Sequence, residues 1–470
     1  MSADAPLNAA AFQNHPTLPI AIVGGGLGGL ALAIGLRKHG VNVHIYEAAA
    51  QFSEIGAGVA FGPNSTRALF LIDEALLEGY KKHATFNGDR ELDRTFASVR
   101  WGMDERKEDG ARAGELMWHL EDRWRPEKAQ ELGVKTRSCI HRARLLDELV
   151  ALLPGDIATF GKHFQSLEQQ ADGTLQLFFA DGTTAMASAV IGCDGVKSRV
   201  RDFVCKPHVE ATYAGEYAYR AMVPSHEVEK VLGTELARNG QLYCGYGSYI
   251  VNYPVEHGRF INMVAIVHEP GDSWTWDHAE WTVPATAGEF EQRFKGWHPP
   301  LVDLIKRHCQ PFKWALFSLR HSAPYYNGRV CLLGDSAHAT TPHLGAGAGM
   351  AMEDAYILSN LIAGVKGHEG VQDAFRAFDA VRRPRTQRLI ELSRLSGLAI
   401  DFLLPGVDDD VGALRGRLEE WYKWLCKFRC LRKPCWSSTC PDICRNSANL
   451  NPALGHEDLE SQLETAQALV

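Results

Sequence analysis

The sequence predicts an α/β fold: a nucleotide-binding layer of strands and helices, interrupted by a second, mixed sheet and closed by C-terminal helices. Three observations predict it. Ile20 to Glu47 reads as a strand, a glycine turn, a helix and a second strand ending in an acid. Two later apolar strands stop abruptly at Asp194-Gly195 and Gly334-Asp335, as strands do at the carboxyl edge of an open α/β sheet, where ligands sit. Between them the texture changes, and residues 213–267 read as strands of a separate sheet.

The first stretch has a reason for each part. Ile20 to Val23 is apolar, and Gly24-x-Gly26-x-x-Gly29 follows. Gly24 lets the chain turn sharply, Gly26 has no Cβ to block a pyrophosphate, and Gly29 lets the helix lie close to the strand. The helix N-terminus then aims unpaired N–H groups and its positive dipole end at the phosphates. Glu47 stands 18 residues after Gly29, close to the usual distance for an acid that grips a ribose hydroxyl. A carboxylate there repels a ribose phosphate, which favours FAD or NAD over NADP. Ile20 to Leu36 carries no charge, but it is short and glycine-rich for a membrane span.

At 470 residues the chain needs two or three domains. With 45% hydrophobic and 23% charged residues it reads as a soluble globular protein, and a net charge of -8 gives no electrostatic reason to expect nucleic acid. Residues 1–19 lack a basic start and an apolar block, so they read as a flexible tail and not as a signal peptide. Most of the 11 cysteines are then expected to be reduced thiols of a cytosolic protein. The expected division is a tail (1–19), a nucleotide domain in two parts (20–205 and 326–403), a substrate domain between them (206–325), and a C-terminal extension (404–470).

After Glu47, small residues at 56–58 suit close approach of backbone to a ligand, or simply a glycine loop, and a helix is expected from Ser65 with Asn64-Ser65 as its cap. Residues 81–135 read as insertions and edge strands. The stretch Ile140 to Leu146 reads as opening a helix that runs to Leu153, with Arg142 near its start and Leu145, Leu149 and Leu152 inward. The runs Leu175 to Phe179 and Thr184 to Val190 flank the hairpin signal Asp181-Gly182. Tyr217 to Val223, Tyr246 to Tyr253 and Phe260 to Val267 read as middle-sheet strands, with Arg220 and Tyr253 at strand ends. Trp274 to Trp297 reads as a loop and short helix. A small-residue loop, Pro342-His343-Leu344-Gly345-Ala346-Gly347-Ala348-Gly349, feeds a helix through Glu353 to Leu361. His338 and His343 have no third ligand at suitable spacing, so no metal is expected there. Arg382-Arg383-Pro384-Arg385 reads as the start of another helix, with a solvated or carbonyl-pairing basic end and not a nucleic-acid patch.

Cys426, Cys430, Cys435, Cys440 and Cys444 crowd a segment (426–457) without helix or strand pattern and without paired zinc-knuckle spacing. Its flanks, Trp421 to Leu425 and Asp458 to Glu460, would join into one helix. Cys426-Lys427-Phe428 can be encoded with an intron-start sequence inside it and Ala448-Asn449 with a branch point, so a retained intron is one origin. A disordered insert is the other.

The glycine motif with Glu47, the Asp194-Gly195 pair and the Gly334-Asp335 motif with its loop, in this order, resemble the single-component FAD-dependent aromatic hydroxylases, the group A flavoprotein monooxygenases. The likeness runs through roughly Ile20 to Leu403. Tyr213 to Arg220 and Pro342 to Gly349 look most like salicylate hydroxylases and the fungal enzymes that hydroxylate and dearomatise polyketide phenols. The resemblance implies a Rossmann-like FAD-binding domain interrupted by a mixed-sheet substrate domain, as in para-hydroxybenzoate hydroxylase. It implies that Gly24, Gly26, Gly29 and Glu47 hold the ADP half of FAD, with Ala60 and Arg142 also at the cofactor. It implies Asp335 at the ribityl or pyrophosphate region, Gly347 and Ala348 at the flavin ring, Pro342 beside its reactive carbon, and Asp194 serving both FAD and a transient NAD(P)H. Reduced FAD would take up oxygen as a hydroperoxide that attacks a phenolate. Arg220 and Tyr253 match positions that hold the phenolate oxygen in the similar dearomatising enzymes; otherwise Arg220 would pair with Glu216 and Tyr253 would only pack. The competing functions are a flavin dehydrogenase or reductase of a non-aromatic molecule, and a misprocessed, inactive flavoprotein.

Overall fold

The computed structural model describes residues 18–52, 58–104, 113–121, 137–271, 274–286, 288–309, 311–365, 370–426 and 459–469. The chain opens with β1 (Ile20–Val23), α1 (Leu27–Lys38) and β2 (Val43–Tyr46), as the glycine pattern requires. Every β1 residue is buried, because a parallel strand inside a sheet is covered on both faces. β3 (Gly58–Phe61) leads into α2 (Pro63–Ile72). This helix starts two residues before the expected Ser65. Pro63 fits a first turn that needs no N–H, and Asn64 points inward, where it donates to Glu353 at 2.7 Å. The glycine stretch expected at 56–58 lies mostly outside the described residues.

β4 (Thr95–Trp101) and β5 (Leu116–Glu121) correct the reading of 81–135. β5 is an edge strand, but β4 is buried at all seven residues and sits inside the sheet. β6 (Ser138–His141) pairs with β3 and hands the chain to α3 (Arg142–Ala151). Leu145 and Leu149 are buried as expected, whereas Leu152 falls just past the helix end and is 41% exposed. β7 (Ala158–Thr159) joins the parallel sheet, and β8 (Phe164–Gln169), β9 (Leu175–Phe179) and β10 (Thr184–Ala187) form a small antiparallel one. The run from Thr184 to Val190 is therefore not one strand. It breaks at Ser188, and β11 (Ala189–Gly192) crosses into the parallel sheet.

β12 (Thr212–Pro224), β13 (Gln241–Gly245), β14 (Ser248–Val255), β15 (Phe260–His268), β16 (Thr282–Pro284) and β17 (Phe312–Ser318) build the middle sheet with β4 and β5. Its order is β16-β17-β12-β15-β14-β13-β4-β5. An amphipathic helix, Pro299–His308, unanticipated from the sequence, covers one face through Leu301, Leu304 and Ile305. β18 (Tyr326–Asn327) and β19 (Val330–Leu332) complete the nucleotide sheet, order β18-β19-β11-β1-β2-β7.

After a single helical turn (Asp335–His338), four longer helices follow among the described residues: α4 (Gly347–Gly364), α5 (Gly370–Ile400), α6 (Val411–Cys426) and α7 (Leu459–Gln467). The basic cluster lies inside α5, with Pro384 in its interior, and does not start it. Nor is it a solvated end. Arg382 and Arg385 are buried against Glu353, at 2.6 and 2.8 Å. The cysteine-rich reading falls outside the described residues from 427 to 458. Among the described residues the seven cysteines are free, and no helix is long and apolar enough to cross a membrane.

Candidate active site

β19, β11, β1 and β2 are neighbours and run parallel, so their carboxyl ends line one edge. Asp335, Asp194, Gly24 and Glu47 follow these ends in that order. A cleft of about 770 Å³ opens on this edge, lined by Gly24, Gly26, Glu47, Arg142, Asp194 and Lys197. The glycines are needed sterically. Gly24 has φ +103°, and a Cβ there would collide with the Cys193 carbonyl; a Cβ on Gly29 would collide with the Gly24 carbonyl. Glu47 accepts from the Gly25 N–H at 2.6 Å and the Ala49 N–H at 2.8 Å, one on each oxygen. Each oxygen can accept one more hydrogen bond, so the acid is held in place yet open to a hydroxyl.

Asp194 is engaged differently. Its carboxylate accepts from Ser198 Oγ at 2.6 Å and from the backbone N–H groups of Arg199 (2.8 Å) and Val200 (3.1 Å), so it caps its own turn and shapes the cleft wall. Burial nevertheless pushes its pKa above the ordinary carboxylate value. Asp335 is exposed on the same edge, and Ala60 is buried in β3. Gly347 and Ala348 form the first turn of α4, whose N–H groups have no intrahelical partner. Pro342 is exposed at the start of the preceding loop, where its carbonyl accepts from Gly345 N–H at 2.8 Å. An acid, cations and backbone donors spread along one edge fit FAD.

The substrate-domain residues lie on the other side of that loop. Side chains alternate along a strand, so Glu216, Ala218 and Arg220 of β12 share a face. Ala218, with Tyr249 of β14 and Ile266 of β15, packs against Leu344, Ala346 and Met350 of the loop and α4. Arg220 stands mid-strand and Tyr253 is followed by Pro254 and Val255, so neither ends its strand as expected. The Arg220 guanidinium lies 4.9 Å over the Trp314 ring, and its Nε is buried without a partner. Burial, aided by the like charge of Arg142, lowers its pKa. Tyr253 donates to the Gly58 carbonyl at 2.8 Å. Burial raises the phenol's pKa, while the guanidiniums of Arg137 and Arg220 act in the opposite sense. Sequence reasoning missed Arg137, whose Nη1 lies 3.4 Å from the Tyr422 hydroxyl.

It also missed a buried polar chain beneath the loop. Glu216 does not pair with Arg220. Its Oε2 is 2.8 Å from His343 Nε2 and its Oε1 is 3.5 Å from His268 Nδ1. Tyr249 Oη is 2.9 Å from His343 Nδ1. Burial alone would push Glu216 up, but the two rings hold its carboxyl at about 2. His338 turns away, to Asp354 at 2.5 Å, so the two histidines of the motif serve separate networks. The even-numbered placement of Glu216 with Arg220 on one strand was the available signal; its partner 127 residues away was not.

Residues 17–393 match the family described as FAD binding domain. A 6-methylsalicylate 1-monooxygenase of Aspergillus terreus is 39% identical over 390 residues, covering 82% of each chain. A salicylate hydroxylase of Pseudomonas putida is 36% identical over 429 residues, 87% of this chain and 92% of that one. A solved salicylate hydroxylase substrate complex superposes with a TM-score of 0.76 at 29% identity, over 96% of this chain and 98% of the other. The edge motifs and these likenesses agree: the chain belongs to this FAD-binding family and is an FAD-dependent monooxygenase similar to salicylate hydroxylase.

Proposed function

We propose that this monooxygenase hydroxylates a phenolic ring, of a salicylate-like acid or a polyketide phenol, and consumes NAD(P)H with O2. The observation that carries the reading is Arg220: a guanidinium with a buried, unpartnered Nε beside Tyr253, on the sheet face toward the 342–349 loop. The relatives' names, 6-methylsalicylate 1-monooxygenase and salicylate hydroxylase, support the same substrate class. Gly24, Gly26, Gly29, Glu47 and Arg142 would hold the ADP half of FAD, with Ala60, Asp194 and Asp335 along the same path and Gly347, Ala348 and Pro342 at the ring. Bound FAD supplies electron transfer and oxygen activation.

The chain's own residues prepare the substrate. Arg220 stays charged at any working pH and lowers the pKa of a phenol placed against it. Tyr253 Oη, released from the Gly58 carbonyl, orients that oxygen or passes on its proton. Val251, Val264, Ile266 and Leu344 make the surroundings apolar and exclude water from the reacting ring. NAD(P)H would dock transiently, since the sequence holds no second glycine fingerprint. The free thiols fit a cytosolic setting.

A panel of phenols and phenolic acids tests the reading. One member should stimulate NAD(P)H oxidation and O2 uptake in equal amounts and give, by mass spectrometry, a product with one oxygen gained, and with CO2 lost as well where the hydroxylated carbon carries a carboxyl group. Electron transfer to a non-aromatic acceptor without O2 uptake would overturn it in favour of a reductase.

A further inference from the structure

Glu216, His268 and Asp401 come from β12, β15 and the turn that ends α5, yet each offers a ligand atom within 4.8 Å of the other two. All three are buried, at 4%, 9% and 0% exposure. Both Asp401 carboxylate oxygens are enclosed and have no hydrogen-bond partner, and enclosed His268 Nδ1 has only the long 3.5 Å contact with Glu216 Oε1. Buried polar atoms are nearly always paired, and two carboxylates this close repel each other in a low-dielectric interior. Arg293 offers Asp401 a favourable charge but no hydrogen bond, its Nη2 being spent on the His268 and Gly247 carbonyls. The Asp401 backbone is itself fixed, because its carbonyl accepts from Gly247 N–H at 2.9 Å. Three potential ligand atoms thus converge on one enclosed point.

We propose that Glu216, His268 and Asp401 bind a divalent transition-metal cation. One imidazole nitrogen and two carboxylate oxygens suit Zn²⁺, Mn²⁺ or Fe²⁺. Two carboxylates and a divalent ion sum to zero charge, which removes the electrostatic penalty of the bare site. His343 and Tyr249 are the outer partners: His343 Nε2 bonds the Glu216 oxygen that does not face His268, the carboxylate–histidine arrangement that orients metal ligands. The ion would pin the end of α5 to the substrate sheet and, through Glu216, fix His343 beside Pro342. The sequence argument against a metal concerned the spacing of His338 and His343. These ligands come from segments 52 and 133 residues apart (268 − 216 and 401 − 268), beyond the reach of a spacing rule.

The test uses the full chain with FAD bound, stripped with chelator and titrated with MnCl2, because the cysteines between Cys426 and Cys444 prefer softer ions. About one Mn²⁺ per chain should be taken up, measured by loss of the free-ion electron paramagnetic resonance signal, and the melting midpoint should rise by about 3–5 °C. Asp401→Asn and His268→Gln should lose both responses while keeping the FAD absorbance. Asn is isosteric with Asp and relieves the repulsion, so Asp401→Asn is expected to fold; His268→Gln supplies the comparison should it not. Absence of saturable Mn²⁺ and Zn²⁺ binding to the parent overturns the proposal and leaves Asp401 a protonated acid. Equal binding by the parent and Asp401→Asn overturns it as well.

Discussion

Arg220 is the residue whose chemistry is least explained by packing. Among the described residues no carboxylate lies within ion-pair distance of it, and the Trp314 face is its main neighbour. A buried guanidinium without an anion is poised to receive one. Arg220→Met should keep FAD, because Arg220 stands on the substrate sheet, but lower coupled hydroxylation by about a hundredfold or more. Residual NAD(P)H oxidation should release hydrogen peroxide, measured by a peroxidase assay. Near-normal product yield at neutral pH would move the search to another group on the sheet. Tyr253→Phe should cost about tenfold, as for one hydrogen bond to a charged group, and less at high pH, where the phenol ionises unaided. At the opposite edge, Gly26→Val should leave a folded protein without yellow colour, since a side chain there fills the pyrophosphate's place. Flavin retained at one per chain would remove Gly26 from the site.

Helices were legible where local pattern decides and illegible where distant partners do. α1 follows from its glycines and its apolar run. α5 was misread because Pro384 favours a first turn and three arginines suggest solvent. In the fold the helix continues through that proline, and Arg382 and Arg385 on either side of it pair with Glu353. The same pairs bear on the gap between α6 and α7. Arg385 Nη2 donates to the Leu425 carbonyl at 3.3 Å, and Arg382 Nη1 donates to Gln462 Oε1 at 2.8 Å. With 426–457 removed, Gln462 would stand five positions after Leu425, about 7–8 Å along a helix, within reach of two arginines one turn apart. The proposal that this segment interrupts a single helix, as a retained intron would, therefore has a concrete expectation. A chain lacking 426–457 should be soluble, bind FAD and melt no lower than the parent. Loss of FAD in the shortened chain, or the segment's presence in every mature transcript, would count against it.

Across the whole molecule, the sheet edge at Gly24, Glu47, Asp194 and Asp335 could be read from sequence, because each βα turn is encoded in its own few residues. What ties that edge to the C-terminal helices could not, because it depends on pairs far apart in the chain. Glu353 of α4 binds Asn64 of α2, 289 residues away, together with Arg382 and Arg385 of α5. Its neighbour Asp354 binds Arg382 at 2.7 Å, His338 at 2.5 Å and the Gly334 N–H at 3.1 Å, which reaches the β19 edge. Burial by itself would push the Glu353 carboxyl up; the two guanidiniums overcome it and hold the pKa at about 2, against 4.5 for an unperturbed glutamate. A depressed carboxyl pKa stabilises the fold fully above the unfolded value, and that contribution is lost as pH falls through the folded one. The window is thus about pH 4.5 down to about pH 2, and at its upper end the contribution is of order 3 kcal/mol. Glu353→Gln leaves Arg385 buried without its carboxylate partner and Arg382 with Asp354 alone, which costs about 3–5 kcal/mol at neutral pH. The parent's melting midpoint should fall as pH drops below 4.5, and that of Glu353→Gln, already lower at pH 7, should fall less steeply. Parallel midpoint curves for the two proteins from pH 7 to pH 3 would show that the acid sensitivity arises elsewhere and that the Glu353 cluster does not join the cofactor edge to the C-terminal helices energetically.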